Sequence, residues 1–231
     1  MRHRNQLLTI CLALALMTFL TPVCAPADSM LIVSRSDILN PDSVDWGQLG
    51  PNLTLVPSGA TVASSFGLNL IVSNSNGAGL QSLVQGTGWN GNFAPGDKLI
   101  YTMTDNSPLV IDFPVNVFSA GAQIQADAFG SFTGVVKAYD ASLNLLETFS
   151  YAGNSSNAAD NSAIFIGIED SQNRIRRLTF DIVTSDPDFQ HDLAINQLDF
   201  LASPNAVPIP GTAMLLGSGM LALWGLRRRN S

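Results

Sequence analysis

Between residues 28 and 205 the chain has 16 aspartates, two glutamates (Glu147 and Glu169), one histidine (His191) and no cysteine. A serine-type hydrolase needs a histidine held by an acid and aimed at an activated hydroxyl. Asp192 adjoins His191, but neighbours on a strand point to opposite faces, so adjacency does not make a dyad. No Gly-x-Ser-x-Gly elbow occurs. Zinc is poorly supplied, because it wants several His or Cys ligands. Calcium fits the composition better, since it takes roughly six to eight hard oxygen ligands. Asp186, Asp188 and Asp192 crowd the segment Asp186-Pro187-Asp188-Phe189-Gln190-His191-Asp192. Asp186 and Asp188, two apart in a loop, can converge on one Ca2+; a solvated acidic turn is the other reading.

A carbohydrate site uses aromatic faces for stacking and amide or carboxylate groups for the hydroxyls. Trp89, Asn90 and Asn92 lie together in the polar, Gly-rich segment Gly86-Thr87-Gly88-Trp89-Asn90-Gly91-Asn92, and Trp46 has similar neighbours in Asp45-Trp46-Gly47. The competing role for each tryptophan is to cap the open end of a core, with its N–H bonded to a loop carbonyl. Cleavage of a polysaccharide would need a pair of carboxyl groups. Aspartate pairs abound, yet neither glutamate sits in a recognisable catalytic context. The chain therefore reads as non-enzymatic, with a secreted hydrolase acting on matrix polysaccharide as the alternative. Arg174, Arg176 and Arg177 form the one basic cluster of this region; it can meet an acidic polymer or pair with the domain's own aspartates.

These residues must be positioned by strands. Runs rich in Val, Ile, Leu, Phe and Thr recur at Leu53–Val56, Thr61–Ser64, Leu68–Ser73, Leu80–Val84, Lys98–Met103, Leu109–Phe113 and Ala122–Ala126. They continue at Ser131–Tyr139, Leu145–Ser150, Ala163–Ile168, Arg174–Val183 and Asp192–Leu201. Several alternate with period two, and Gly, Asn, Asp, Ser and Pro clusters separate them. No long apolar stripe of helical period appears between them. The expectation is an all-β domain over residues 28–205, a β-sandwich of the jelly-roll kind. The same region holds all 18 acidic residues of the chain against six basic ones, a net 6 − 18 = −12. That balance excludes a basic nucleic-acid binder.

Both ends differ from the middle. Met1-Arg2-His3-Arg4, an apolar stretch from Leu7 to Leu20, and Ala25-Pro26-Ala27 make residues 1–27 a signal peptide, with small residues at −3 (Ala25) and −1 (Ala27) of the cleavage site. Cleavage there removes Cys11 and Cys24. An uncleaved anchor, or lipidation at Cys24, are the alternatives. At the other end, residues 206–226 carry no charge and Arg227-Arg228-Arg229 follows. A transmembrane helix is expected over 211–226, short for a bilayer core of about 30 Å, with the arginines on the cytoplasmic side.

Val207-Pro208-Ile209-Pro210-Gly211, the apolar stretch and the arginine triplet together resemble the PEP-CTERM sorting signal. The resemblance spans residues 206–231 and departs at Ile209, where the family usually has Glu. It implies recognition by an exosortase-type transpeptidase at the inner membrane and delivery to the cell envelope or exopolysaccharide matrix. A plain C-terminal anchor is the alternative. The body is similar to exported bacterial proteins that carry this tail, through Ser43-Val44-Asp45-Trp46-Gly47, Trp89-Asn90-Gly91-Asn92-Phe93, Phe129-Gly130-Ser131-Phe132-Thr133 and Asp192-Leu193-Ala194-Ile195-Asn196. That likeness implies a location and a fold. The function expected from all of this is a structural or adhesive protein of the envelope or matrix that contacts exopolysaccharide.

Overall fold

The computed structural model describes residues 28–103, 107–184 and 191–202. The signal peptide (1–27) and the tail (206–231), with its Val207–Gly211 motif, helix and Arg227–Arg229, lie outside the described residues, as do Asp186 and Asp188. Among the described residues no helix is long and apolar enough to cross a membrane. What is described is all-β: fourteen strands and two single-turn 3-10 helices, Arg35–Asp37 and Trp46–Leu49.

The strands are β1 (Ser29–Ile32), β2 (Asp42–Val44), β3 (Thr54–Val56), β4 (Ala60–Ala63), β5 (Asn69–Asn74), β6 (Leu80–Val84) and β7 (Lys98–Tyr101). After these come β8 (Leu109–Ala126), β9 (Gly130–Tyr139), β10 (Leu145–Ser155), β11 (Ile164–Asp170), β12 (Ile175–Thr184), β13 (Leu193–Ile195) and β14 (Leu198–Ala202). Alternation shapes them as expected: buried and half-exposed residues take turns along β5, β9 and β12.

One finding differs from the sequence reading. Leu109–Phe113 and Ala122–Ala126 are the two ends of a single 18-residue strand, β8. Its ends belong to different sheets. Leu109–Asp112 lies between β12 and β5, which gives the antiparallel order β10-β9-β12-β8-β5-β4. The distal half, from Val117, lies between β11 on one side and β13 and β14 on the other; β1, β2, β7, β6 and β3 complete that second sheet. The crossover falls at Pro114–Asn116, where both Pro114 and Asn116 are exposed. Proline has no N–H for a ladder, so a bend that begins there spares one donor.

The two sheets face each other over one large apolar core. Leu70, Val72, Ile111, Val136, Leu178 and Phe180 from the first sheet join Ala120, Ile124, Ile166, Ile168, Leu193 and Phe200 from the second. Phe113 and Phe200 meet across it at 5.3 Å between ring centroids. At Gly167, paired with Gly121 across β11 and β8, the chains come so close that an added Cβ would lie 2.5 Å from the Ala120 carbonyl oxygen and 2.9 Å from Gly121 Cα. This is a sandwich in which one strand serves both layers.

Candidate functional site

Trp46 is wholly buried in the large core, and its Nε1 donates to the Asn196 carbonyl at 2.7 Å. Trp89 is also buried, tilted against Tyr101 at 5.1 Å in a small second core with Leu83, Phe93, Leu99, Ala163 and Ala194. The expectation that these two rings offer faces for stacking a sugar is corrected: their faces are spent on the interior. The polar loop around Trp89 is turned inward as well. Asn92 is buried, donating to Ser156 and Ser162 at 2.8 and 3.0 Å while its Oδ1 accepts from the Ser156 N–H at 2.6 Å. Gln85 brackets Gly91 through both its side-chain atoms, and a Cβ on Gly91 would strike the Trp89 indole. Asn90 is exposed.

His191 bonds to Asp181 on β12, not to its neighbour Asp192. Of the three aspartates expected around a calcium ion only Asp192 is described, and it is buried. Among the described residues no three His, Cys, Asp or Glu side chains gather as a metal site. Burial, followed by the hydrogen bond and charge of Asp127, pushes the Tyr101 phenol far above its ordinary value. It serves as a donor to Asp127 at 2.8 Å.

A concave surface forms instead on the outer face of the first sheet, where β8 changes sheets. Between the pairs Arg177–Asp112 and Ile175–Val117, β8 has four residues (113–116) and β12 only Arg176. The bulge leaves the Phe113 carbonyl without a ladder partner, and Arg176 Nε takes it at 3.0 Å. Beside it Arg177 grips Asp112 with two bonds, Nε to Oδ1 at 2.6 Å and Nη2 to Oδ2 at 2.9 Å. In register on either side stand Ile71 of β5 and Tyr139 of β9. Asn69, Ile71, Asp112, Phe113, Pro114, Asp140, Ala141, Leu143 and Arg176 line a groove of about 330 Å³.

The groove's lip is the turn between β9 and β10, and Asp140 organises it. One carboxylate oxygen accepts from the Ser142 and Asn144 N–H groups at 2.8 and 2.9 Å, and the other from Asn144 Nδ2 at 2.9 Å. The Asn144 side chain first, then these backbone donors, hold the Asp140 carboxyl below its usual range. The same turn forces Leu143 to φ 64° with its side chain 55% exposed. A leucine in the left-handed region costs roughly 1–2 kcal/mol, and such strain gathers where a side chain is presented for use.

The three arginines of the cluster thus divide. Arg174 pairs with Asp170 and Asp28, and Arg177 with Asp112. Among the described residues Arg176 has no carboxylate within salt-bridge distance; it is anchored by the Phe113 carbonyl alone. The groove therefore offers fixed guanidinium donors, two oriented carboxylates and the apolar surfaces of Ile71, Pro114 and Leu143. The cluster was visible in the sequence, whereas the bulge that separates Arg176 from its neighbours was not.

No family profile matches the sequence, and no curated protein matches it. Among solved structures it is similar to a DUF4465 family protein from Bacteroides caccae at 10% identity, covering 76% of this chain and 99% of that one, with a TM-score of 0.42. It is similar to CsCBM6-3 from Clostridium stercorarium, solved with cellobiose, at 14% identity, 67% and 98% coverage, and a TM-score of 0.31. An Arthrobacter globiformis isomalto-dextranase complexed with panose matches at 11% identity over 74% of this chain and 32% of its own length, with a TM-score of 0.37. Likenesses this slight carry neither a family nor a ligand over to this chain.

Proposed function

We propose that this chain is an exported, non-catalytic protein of the bacterial envelope or exopolysaccharide matrix that holds a neutral polysaccharide in the groove beside Arg176. The observation that carries the reading is that groove. Planar donors, oriented acceptors and three apolar patches line one depression, the mixture that a ring bearing both hydroxyls and C–H faces requires. The lining charges are Arg176, Asp112 and Asp140, and Arg177 beside the groove neutralises Asp112, a balance that suits an uncharged ligand. A glycosidase acid would need a carboxyl raised above its ordinary range, and the Asp140 carboxyl is held below it. The fold we assign to the jelly-roll class, because strands adjacent in space, such as β5 and β8 or β1 and β11, are remote in sequence.

Export rests on the sequence of residues 1–27 and delivery on the PEP-CTERM-like tail at 206–231, read by an exosortase-type enzyme. The engagement of Asp28 supports a domain boundary at that point. Its carbonyl accepts from the Ser171 N–H at 2.8 Å, and its carboxylate accepts from Gln172 at 3.1 Å. The groove is tested by electrophoresis of the chain through gels containing the host's exopolysaccharide. Retardation should fall at least tenfold for Arg176→Ala and for Leu143→Asp, with the fold retained, melting temperature lowered by no more than several degrees, and no reducing ends released. Full retardation of both variants would overturn the reading, and steady release of reducing ends would replace it with the hydrolase.

A further inference from the structure

Among the described residues the two sheets end on five edges, and four of them are short: β1 and β4 have four residues, β2 and β3 three. Short edges are a common defence against edge-to-edge pairing. The fifth edge, β10, runs for 11 residues and pairs only with β9. Its single irregularity lies between Leu145 and Glu147. From Thr148 to Ser155 it carries no charge and no proline, so the usual protections are missing over eight residues.

Two observations fix which backbone groups face outward. Thr148 donates its N–H to the Glu147 carboxylate at 2.9 Å rather than to β9. Independently, the Ser75 N–H to Pro108 carbonyl bond sets the phase of the β5–β8 ladder. Carried through the registers of β8, β12 and β9, that phase makes Lys137–Thr148 a pair without mutual hydrogen bonds. The N–H and C=O groups of Ser150, Ala152 and Asn154, with the Thr148 carbonyl, therefore project from the free edge. The odd-numbered positions Phe149, Tyr151 and Gly153 belong to the inner face, on the same side as their partner positions Val136, Gly134 and Phe132. Tyr151 is nevertheless 40% exposed.

We propose that β10 is the contact between two copies of this chain, paired antiparallel about a two-fold axis through Tyr151, so that the first sheets of both copies become one. Only registers that oppose even-numbered residues can form hydrogen bonds. The central one sets Ser150 against Ala152 and Thr148 against Asn154 of the second copy. It places the two Tyr151 rings side by side and Phe149 over Gly153, both favourable cross-strand arrangements. A second copy fits better than an unrelated strand, because the segment is its own complement: no like charges meet, and the sole acidic side chain, Glu147, falls beyond the paired stretch. A closed two-fold contact leaves no further edge of this kind exposed.

The test is cysteine cross-linking in the full chain carrying Cys11→Ser and Cys24→Ser, with copper–phenanthroline as oxidant. In the proposed register the Tyr151 Cα atoms face each other at about 4.5 Å, within the range a disulfide spans. Tyr151→Cys should give a covalent dimer in most of the chain, whereas Val183→Cys, 50% exposed on β12, should stay monomeric. Adding Ala152→Pro, which removes no bond to β9, should abolish the Tyr151→Cys dimer without lowering the melting temperature by more than a few degrees. The proposal is overturned if Tyr151→Cys cross-links no more than Val183→Cys, if Ala152→Pro leaves the dimer intact while the protein stays folded, or if the adduct has a mass other than twice the chain.

Discussion

Trp46 and Trp89 occupy similar burial but differ in one atom's partner, and that difference predicts opposite responses to the same substitution. Trp46 Nε1 donates to the Asn196 carbonyl at 2.7 Å, whereas Trp89 Nε1 has no acceptor among the described residues. Trp46→Phe leaves a buried carbonyl unpaired, at about 1–3 kcal/mol, and opens a void worth roughly another 1 kcal/mol in lost burial. The expected loss is about 2–4 kcal/mol. For a domain of this size that lowers the melting temperature by roughly 5–15 °C. Trp89→Phe opens a similar void but deletes an unsatisfied N–H, which returns about 1–3 kcal/mol. Its net effect should lie within about 1 kcal/mol of zero. Calorimetry of the two variants side by side is the assay. Equal losses, or a larger loss at Trp89, would refute the assignment of hydrogen-bonded core cap to Trp46 alone. Loss of polysaccharide retention with unchanged melting in either variant would restore the stacking role.

Gly167→Ala forces a methyl group against the Ala120 carbonyl and Gly121 backbone on β8, and should cost about 1–3 kcal/mol as overpacking, read by urea denaturation. A second experiment follows pH. Burial alone would raise Asp170, but the Arg174 side-chain and backbone donors at 2.6–3.1 Å outweigh it and hold its carboxyl below the ordinary value. A depressed folded value means stability that is full above the unfolded carboxylate range and is lost as pH falls through the folded one. Asp170→Asn should therefore flatten the acid limb of the stability profile; an unchanged slope would refute the argument. Asp199 works in the opposite sense, because burial raises it despite bonds from Gln197 and Arg35. Asp199→Asn should steepen the same limb.

Strands were legible wherever alternation ran unbroken, as in β5, β9 and β12, because a face that packs against a core must repeat every second residue. β1 and β2 escaped notice because they are three to four residues long and contain Ser and Asp among their apolar positions. The apolar run in the sequence stops at Phe113, and the structure uses Pro114 and Asn116 as the bend that carries one strand between two layers. The tryptophan loops misled for a different reason. Asn92, Gln85 and Gln125 look like solvent-facing or ligand-facing groups in a string of letters, yet Gln85 bonds to the Gly91 backbone, Gln125 to the Asn92 N–H and to Ser155, and Asn92 to Ser156, folding a polar loop inward over an apolar ring. Arg176 illustrates the limit most clearly. Simple alternation puts it on one face with Arg174, but the irregularity between Ile175 and Arg177 breaks that phase. Arg174 goes to Asp170 while Arg176 is left to the groove.

Charge supplies the last test of what the groove holds. The region from Asp28 to Asp199 carries a net −12, a field that repels an anionic polymer at long range and is screened within about 10 Å at 0.1 M salt. At the groove Arg176 stands against Asp140 while Arg177, beside it, neutralises Asp112, and Arg176 acts only at contact distance, where screening is weak. A neutral polysaccharide feels neither the long-range repulsion nor its screening. Its retention should change by less than about twofold between roughly 0.02 M and 0.5 M salt, measured by affinity electrophoresis of the unmodified chain. An acidic polymer should instead bind better as salt first rises, because the field of the aspartates fades before the contact with Arg176 does. Tighter binding with added salt would refute the neutral ligand, and a steep loss with salt would locate the contact on a basic surface that this domain does not display.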